Sequence, residues 1–249
     1  MWLGQRFAKE GKWLFRWRSF LPLLLVLIII PAFMTVGGRA SDNSGVGFDD
    51  LWLVVCIGVS FIGFLIRAYT IGYAPGGTSG RNTKGQRADT LNTTGAYSLV
   101  RNPLYLGNFL ITLGVSMYPR VWWLVLIYVL LFWLFYERII YLEEGFLREK
   151  FGKTWESWAA RTPAIVPKLK GFRRPFLPFS IRNVLSKENH VFINIVLAYA
   201  FLVMLRGLLS ERKFELDLPW VIVLCTALVV WGVLRILKKS TRVLDVEGR

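Results

Sequence analysis

Thr93-Thr94-Gly95-Ala96-Tyr97-Ser98-Leu99-Val100-Arg101-Asn102-Pro103-Leu104-Tyr105-Leu106-Gly107 is the stretch around which the rest of the chain is organised. It passes from a loop rich in Gly, Asn and Thr into an apolar run. Asn102 falls at the cap of the predicted helix and Pro103 at its first position, where a missing N–H costs nothing. Arg101 and the Tyr105 hydroxyl then stand at a helix N-terminus, where free N–H groups and the helix dipole favour an anion. A second stretch answers the first. Glu143-Glu144 ends the next apolar run and is followed by Phe151-Gly152, Trp155, Trp158 and Pro167. Only Pro119-Arg120 separates the two runs, so the sequence predicts an antiparallel helical hairpin that carries both charged ends to one membrane face.

Composition sets the surroundings of that hairpin. Of the 249 residues 54% are hydrophobic, and several apolar runs approach the roughly 20 residues needed to cross a bilayer. The fold class expected is all-α, a polytopic membrane helical bundle of about six transmembrane helices. The net charge of +15 is spread over loops between apolar spans, which fits orientation in a bilayer and argues against a nucleic-acid partner. Cys56 and Cys225 lie inside apolar runs and read as small buried hydrophobes rather than a disulfide. No metal-ligand spacing is present, and His190 reads as an interfacial or capping residue.

Taken in order, residues 1–19 interleave Arg6, Lys9, Lys12, Arg16 and Arg18 with Trp2, Trp13 and Trp17, as an interfacial segment does. Apolar spans are expected at about 21–36, 51–69, 103–117, 121–141, 191–209 and 218–237. Arg67 falls near the end of the second, positioned to snorkel toward the headgroups. The loop at 70–103 lacks a phosphate-binding Gly pattern, and Arg81, Lys84 and Arg87 in it are expected to face lipid phosphates or substrate. Gly107 and Gly114 share one face of the third span and would admit a neighbouring helix. Glu137, Tyr141, Glu144 and Arg148 fall on one helical stripe. Its plain reading is a Glu144–Arg148 surface ion pair, although Glu137, in an apolar context, is a functional suspect. Residues 153–189 are basic and broken by four prolines, and read as an interfacial crossing. The Lys and Arg distribution puts both termini in the cytoplasm.

The two opening stretches resemble those of the isoprenylcysteine carboxyl methyltransferase and phospholipid methyltransferase superfamily of membrane enzymes. The first motif of that superfamily stands here as Gly95, Tyr97, Arg101, Asn102, Pro103, Tyr105 and Gly107, with Asn102 where His is usual. The second stands as Glu143-Glu144, Phe151-Gly152, Trp155, Trp158 and Pro167, with Trp where Tyr is commoner. The resemblance divides the chain into membrane helices and a cytoplasmic loop (1–92), a methyltransferase core (93–170), and an interfacial segment with two C-terminal spans (171–249).

The resemblance implies an integral membrane enzyme that uses S-adenosyl-L-methionine at a cytoplasmic cofactor site. It assigns cofactor binding to Tyr97, Arg101, Asn102, Tyr105, Gly107, Glu143 and Glu144, and the catalytic work to Arg101, Tyr105 and Glu144. Carboxylates suit the cofactor's ammonium or ribose hydroxyls, and an arginine suits its carboxylate or an acidic acceptor. The acceptor is expected to be a membrane lipid or lipidated substrate, and specifically an anionic oxygen such as a lipid A type phosphate. Such an oxygen needs no base, and Asn102 cannot titrate as the usual His does. Arg81, Arg87, Arg148 and Arg161 are the cations expected to hold the substrate. Alternatives are methylation of an isoprenylcysteine carboxylate or of phosphatidylethanolamine. An NADPH-dependent lipid or sterol reductase is a further alternative, and would carry Arg-Asp in place of Glu-Glu. The expected location is the bacterial inner membrane.

Overall fold

A computed structural model describes residues 3–18, 24–36, 46–78, 88–210, 215–246 and 248. The described residues form eight α-helices and no strand: α1 (Leu3–Trp17), α2 (Leu24–Val36), α3 (Val46–Gly72), α4 (Pro103–Met117), α5 (Trp122–Phe151), α6 (Lys153–Ala159), α7 (Ile181–Ser210) and α8 (Leu218–Ser240). Four of them, α3, α5, α7 and α8, contain stretches long and apolar enough to cross a membrane, while α2 and α4 are shorter apolar helices. At about 1.5 Å per residue, α4 spans only about 22 Å, less than the roughly 30 Å of a hydrocarbon core. The fold is a polytopic helical membrane bundle.

Small residues bring α3 and α4 together. A Cβ on Gly63 would stand 2.5 Å from the Gly107 carbonyl oxygen, and one on Gly114 would overlap the Cys56 carbonyl and the Ser60 hydroxyl. Backbones this close exclude any larger side chain, so the Gly107/Gly114 face holds α3 as its spacing predicted. At the far end, the Trp52 indole donates to the Met117 carbonyl (3.2 Å) and Arg120 turns the chain at φ 60°. That turn closes the α4–α5 hairpin.

The C-terminal part joins this core more tightly than its sequence suggested. The helix α7 begins at Ile181, only three positions after Pro178, so the expected interfacial crossing ends sooner than its charge implied. The last proline frees the chain to continue as helix. Ser60 donates to the Ile111 carbonyl (2.7 Å) and lies 2.9 Å from the Tyr199 hydroxyl, tying α3, α4 and α7 at one buried point. Arg67 does not snorkel. Its Nε and Nη2 donate to the two oxygens of Glu188 on α7 (2.8 and 2.7 Å). Its Nη1 donates to Asn108 Oδ1 on α4 (2.7 Å). A buried carboxylate within reach outweighs the gain of taking the guanidinium to the interface.

The last helix, α8, packs on α7 and leaves most of its surface outward. Here the Trp231 indole donates to His190 Nδ1 (3.2 Å). Cys56 is fully buried but Cys225 is exposed on α8, so only one cysteine is the buried hydrophobe expected of both. At the other end of the chain, α1 lies against α5. Leu14 and Phe15 pack on Ile139, Arg138 donates to Glu10 (2.7 Å), and Gly11 lets the Arg138 carbonyl approach. Trp13 and Trp17 remain exposed on the opposite face, as an interfacial helix requires.

Candidate active site

The site forms where the N-terminus of α4 meets the last three turns of α5. Pro103 opens α4 with no N–H to satisfy, but Asn102 does not cap the helix with its side chain. Its amide instead donates to the Ala164 carbonyl (3.0 Å) and also faces the Glu144 carboxylate. That bond belongs to a set that fastens residues 95–102 to the segment after α6. Arg101 N donates to Pro163 O (2.9 Å), Lys168 N to Leu99 O (3.1 Å), and Gly95 N to Arg173 O (2.8 Å). The Trp158 indole donates to the Tyr97 carbonyl (3.0 Å). Gly95 adopts φ 60°, a left-handed conformation that favours glycine, and Pro175 packs close above it.

This fastening presents Arg101 to Glu144. Arg101 Nε stands 3.1 Å from Glu144 Oε1, with both side chains about four-fifths buried. The charges touch, but the geometry is not that of an aligned hydrogen bond, and neither atom has one among the described residues. The Trp155 indole N–H is likewise buried without an acceptor, and the Arg101 guanidinium lies 5.9 Å from the Trp155 ring. The Glu144–Arg148 pair expected on α5 does not form. Glu144 turns to Arg101, and Arg148 makes an exposed pair with Glu156 (2.9 Å) across the α5–α6 bend at Gly152.

Glu143 points the other way, as adjacent residues about 100° apart on a helix must. The Tyr105 hydroxyl donates to its Oε1 (2.8 Å), and Arg18 Nη1 donates to the same oxygen (3.0 Å) and to the Tyr105 oxygen (3.2 Å). The Tyr105 ring meets Tyr136 edge-on at 4.9 Å. Burial, reinforced by the Glu143 carboxylate and opposed by Arg67, pushes the Tyr97 phenol well above its ordinary range, so it stays protonated.

Of the residues expected at the site, Arg101, Asn102 and Glu144 meet directly and Tyr105 and Glu143 form the adjoining group. Gly107 sits a turn further along α4, against Arg67 and Gly63. Arg161 is exposed and donates to the Ser157 carbonyl (2.9 Å). Arg81 and Arg87 lie outside the described residues. Glu137 faces outward on α5 and belongs to neither cluster. Arg18 was missed as a site residue because in sequence it is one of five leader cations, 125 positions from its partner. Among the described residues no group of three His, Cys, Asp or Glu comes together that could hold a metal ion.

Residues 53–154 match the sequence model of the family described as phospholipid methyltransferase. The chain is similar to the nickel-cobalt-cadmium resistance protein NccN of Alcaligenes xylosoxydans xylosoxydans, at 37% identity over 36% of this chain and 41% of the relative. It is 38% identical to the cobalt-zinc-cadmium resistance protein CzcN of Cupriavidus metallidurans over the same shares. The protein-S-isoprenylcysteine O-methyltransferase of Schizosaccharomyces pombe is 32% identical over 34% of this chain and 36% of its own. These alignments span about two fifths of the length of the curated relatives. No solved structure matches the chain. The match covers most of α3, the motif loop, the α4–α5 hairpin and both glutamates, and over those residues the chain is similar to the isoprenylcysteine carboxyl methyltransferases and phospholipid methyltransferases.

Proposed function

We propose that the protein is an integral membrane S-adenosylmethionine-dependent methyltransferase whose acceptor is an anionic oxygen on a membrane lipid, a lipid A type phosphate being the foremost candidate. The observation that carries the reading is the Arg101–Glu144–Trp155 junction. It buries two N–H donors, Arg101 Nε and the Trp155 indole, and a Glu144 carboxylate oxygen without aligned partners among the described residues, at one end of the helical hairpin. Such orphaned groups cost free energy unless a ligand satisfies them.

Their chemistry fits the cofactor. Arg101 would hold its carboxylate, Glu144 its ammonium or ribose hydroxyls, and the Trp155 N–H would donate to a further acceptor atom on it. When bound, S-adenosylmethionine supplies a methyl group on a sulfonium leaving group. What remains for the protein is alignment of donor and acceptor, which contributes up to about 7–11 kcal/mol in well-oriented reactions. The residues fastened around Asn102 and Trp158 fix Arg101 for that purpose, and the surrounding aromatic side chains exclude water.

The anionic acceptor follows from the bases at hand. Glu143 is occupied by Arg18 and Tyr105, and Glu144, which faces Arg101, is in this reading engaged by the cofactor. The protein's one histidine is hydrogen-bonded to Trp231 on α8. A phosphate oxygen attacks without first losing a proton, whereas an ammonium acceptor needs a base. The reading puts the site and both termini on the cytoplasmic side, where the Lys and Arg excess of the loops also places them. The test is mass spectrometry of lipids from cells with and without the gene, together with methyl label followed into the lipid extract. A gain of one CH2 on a lipid phosphate is the expected result. A gain confined to phosphatidylethanolamine would favour amine methylation, and no labelled lipid at all would defeat the proposal.

A further inference from the structure

Between α2, α4 and α5 runs an apolar crevice walled by Leu24, Leu25, Thr112, Leu131, Phe132 and Phe135. It opens outward beside Leu24, which is 44% exposed on a helix of a membrane bundle, while Leu25 is buried. Its wall also includes Tyr136, whose ring stacks on Phe132 (4.0 Å) and meets Tyr105 edge-on. Beyond Tyr105 stands Arg18. The crevice wall is thus linked, through the Tyr136 and Tyr105 rings, to a guanidinium next to the candidate site.

Three features make Arg18 more than a topogenic charge. It is mostly buried, at 18% exposure. Its guanidinium lies over the Phe15 ring, 4.0 Å from the centroid, a cation–π contact that helps hold it in place. Both of its hydrogen bonds to Tyr105 and Glu143 use Nη1, out of five donors on a guanidinium. The helix that carries it is anchored to α5 by Glu10–Arg138 and by Phe7 against Tyr141 (5.9 Å). Arg18 precedes Leu24 by six positions in the sequence.

We infer that Arg18 is the acceptor-binding, specificity-determining residue, holding the anionic headgroup of a lipid whose acyl chain lies in the α2–α4–α5 crevice. This rests on the proposed anionic acceptor and names the residue that selects it. Charge complementarity commits the occupant to an anionic lipid. A zwitterionic choline headgroup would bring a quaternary ammonium against a guanidinium in a partly desolvated place.

The experiment needs no methyl transfer. The full chain in phosphatidylcholine nanodiscs is photolabelled with phosphatidic acid carrying a diazirine in its acyl chain, and the labelled peptides are mapped. Label should concentrate on the peptides bearing Leu24–Leu25 and Leu131–Phe135. Unlabelled phosphatidic acid should compete it away and excess phosphatidylcholine should not. Arg18→Gln should lower the specific label about tenfold or more, the range for losing a charged hydrogen bond, and Arg18→Lys should restore part of it. Leu131→Trp, which fills the crevice, should remove the label while S-adenosylhomocysteine still binds, which also shows that the variant folds. Label spread evenly over the outward helices, equal competition by phosphatidylcholine, or an Arg18→Gln protein that labels like wild type would each overturn the inference. Methylation found only on an amine, with the phosphatidic acid label intact, would instead overturn the proposed acceptor and leave the lipid site standing.

Discussion

Two buried guanidinium–carboxylate groups lie beside α4, and they differ in how completely they are satisfied. At Arg67–Glu188 both carboxylate oxygens accept from the guanidinium, and the third nitrogen donates to Asn108 and weakly to the Leu104 carbonyl. The side chains are 12% and 3% exposed. At Arg101–Glu144 one nitrogen faces one oxygen out of alignment, and the exposures rise to 18% and 20%. A charged pair taken out of water is tolerable only when its remaining donors and acceptors are met. The first group meets that condition within the chain, across three helices, and so reads as a clamp. The second does not meet it among the described residues, which is what the proposed cofactor site asks of it.

Cutting the clamp gives the largest effect. Glu188→Ala strands a buried guanidinium between α3, α4 and α7, a loss of about 3–5 kcal/mol. The expected outcome is a large fall in thermal unfolding temperature in detergent, or failure to accumulate in the membrane. A variant that melts like wild type would mean that the pair is wetter than it looks. Cutting the site should act on binding more than on the fold. Arg101→Ala and Glu144→Ala each remove a charged partner worth about 1.5–3 kcal/mol. Calorimetry should show S-adenosylhomocysteine affinity reduced at least tenfold, with a fall in unfolding temperature smaller than that of Glu188→Ala because this pair is more exposed. Unchanged affinity in both variants would falsify their place at the cofactor.

Gly107 separates the two groups along α4 and sharpens the contrast between them. A Cβ there would stand 2.5 Å from Arg67 Cγ and 2.8 Å from the Gly63 carbonyl oxygen. Gly107→Ala should therefore overpack the clamp, costing about 1–3 kcal/mol, and should shift the unfolding temperature more than the cofactor affinity. The reverse order would move this motif glycine to the cofactor side.

The comparison also explains what could be read from the chain alone. The hairpin and the gathering of both motif stretches at one end of it were legible, because a two-residue turn and a Pro-initiated helix fix them from local chemistry. The Arg101–Glu144 pair was not, since Glu144 read as a partner of Arg148. Nor was the clamp. Arg67 near a span end looks like a snorkelling residue, and Glu188 sits between Lys187 and Asn189 behind a proline-broken basic segment, where nothing marks it as buried. Arg18 was hidden among cations of the same leader. Long-range pairings of this kind leave no periodic trace, because each partner alone satisfies an ordinary interfacial pattern. The ends of helices were blurred for a related reason. Charges at the N-terminal end of α7 read as part of an interfacial crossing, yet the helix runs through them and its Glu188 meets Arg67.

The smallest effect belongs to an arginine that looked more promising in sequence than Arg18. Arg148 lies one turn beyond Glu144 on α5, but its guanidinium is 66% exposed and its pair with Glu156 is on the surface. Such pairs contribute about 0.2–1 kcal/mol before salt screening and often nothing measurable. Arg148→Ala should leave the unfolding temperature within about a degree of wild type. It should change labelling by phosphatidic acid less than about twofold, against the tenfold loss expected for Arg18→Gln. Running the two variants side by side at low and at high salt makes the distinction sharper. An exposed cation that merely gathers anionic lipid loses its influence as salt rises, whereas a buried guanidinium in contact with the headgroup keeps most of it. If Arg148→Ala costs as much label as Arg18→Gln at high salt, selection of the acceptor lies on the outer face of α5 and not at the end of α1.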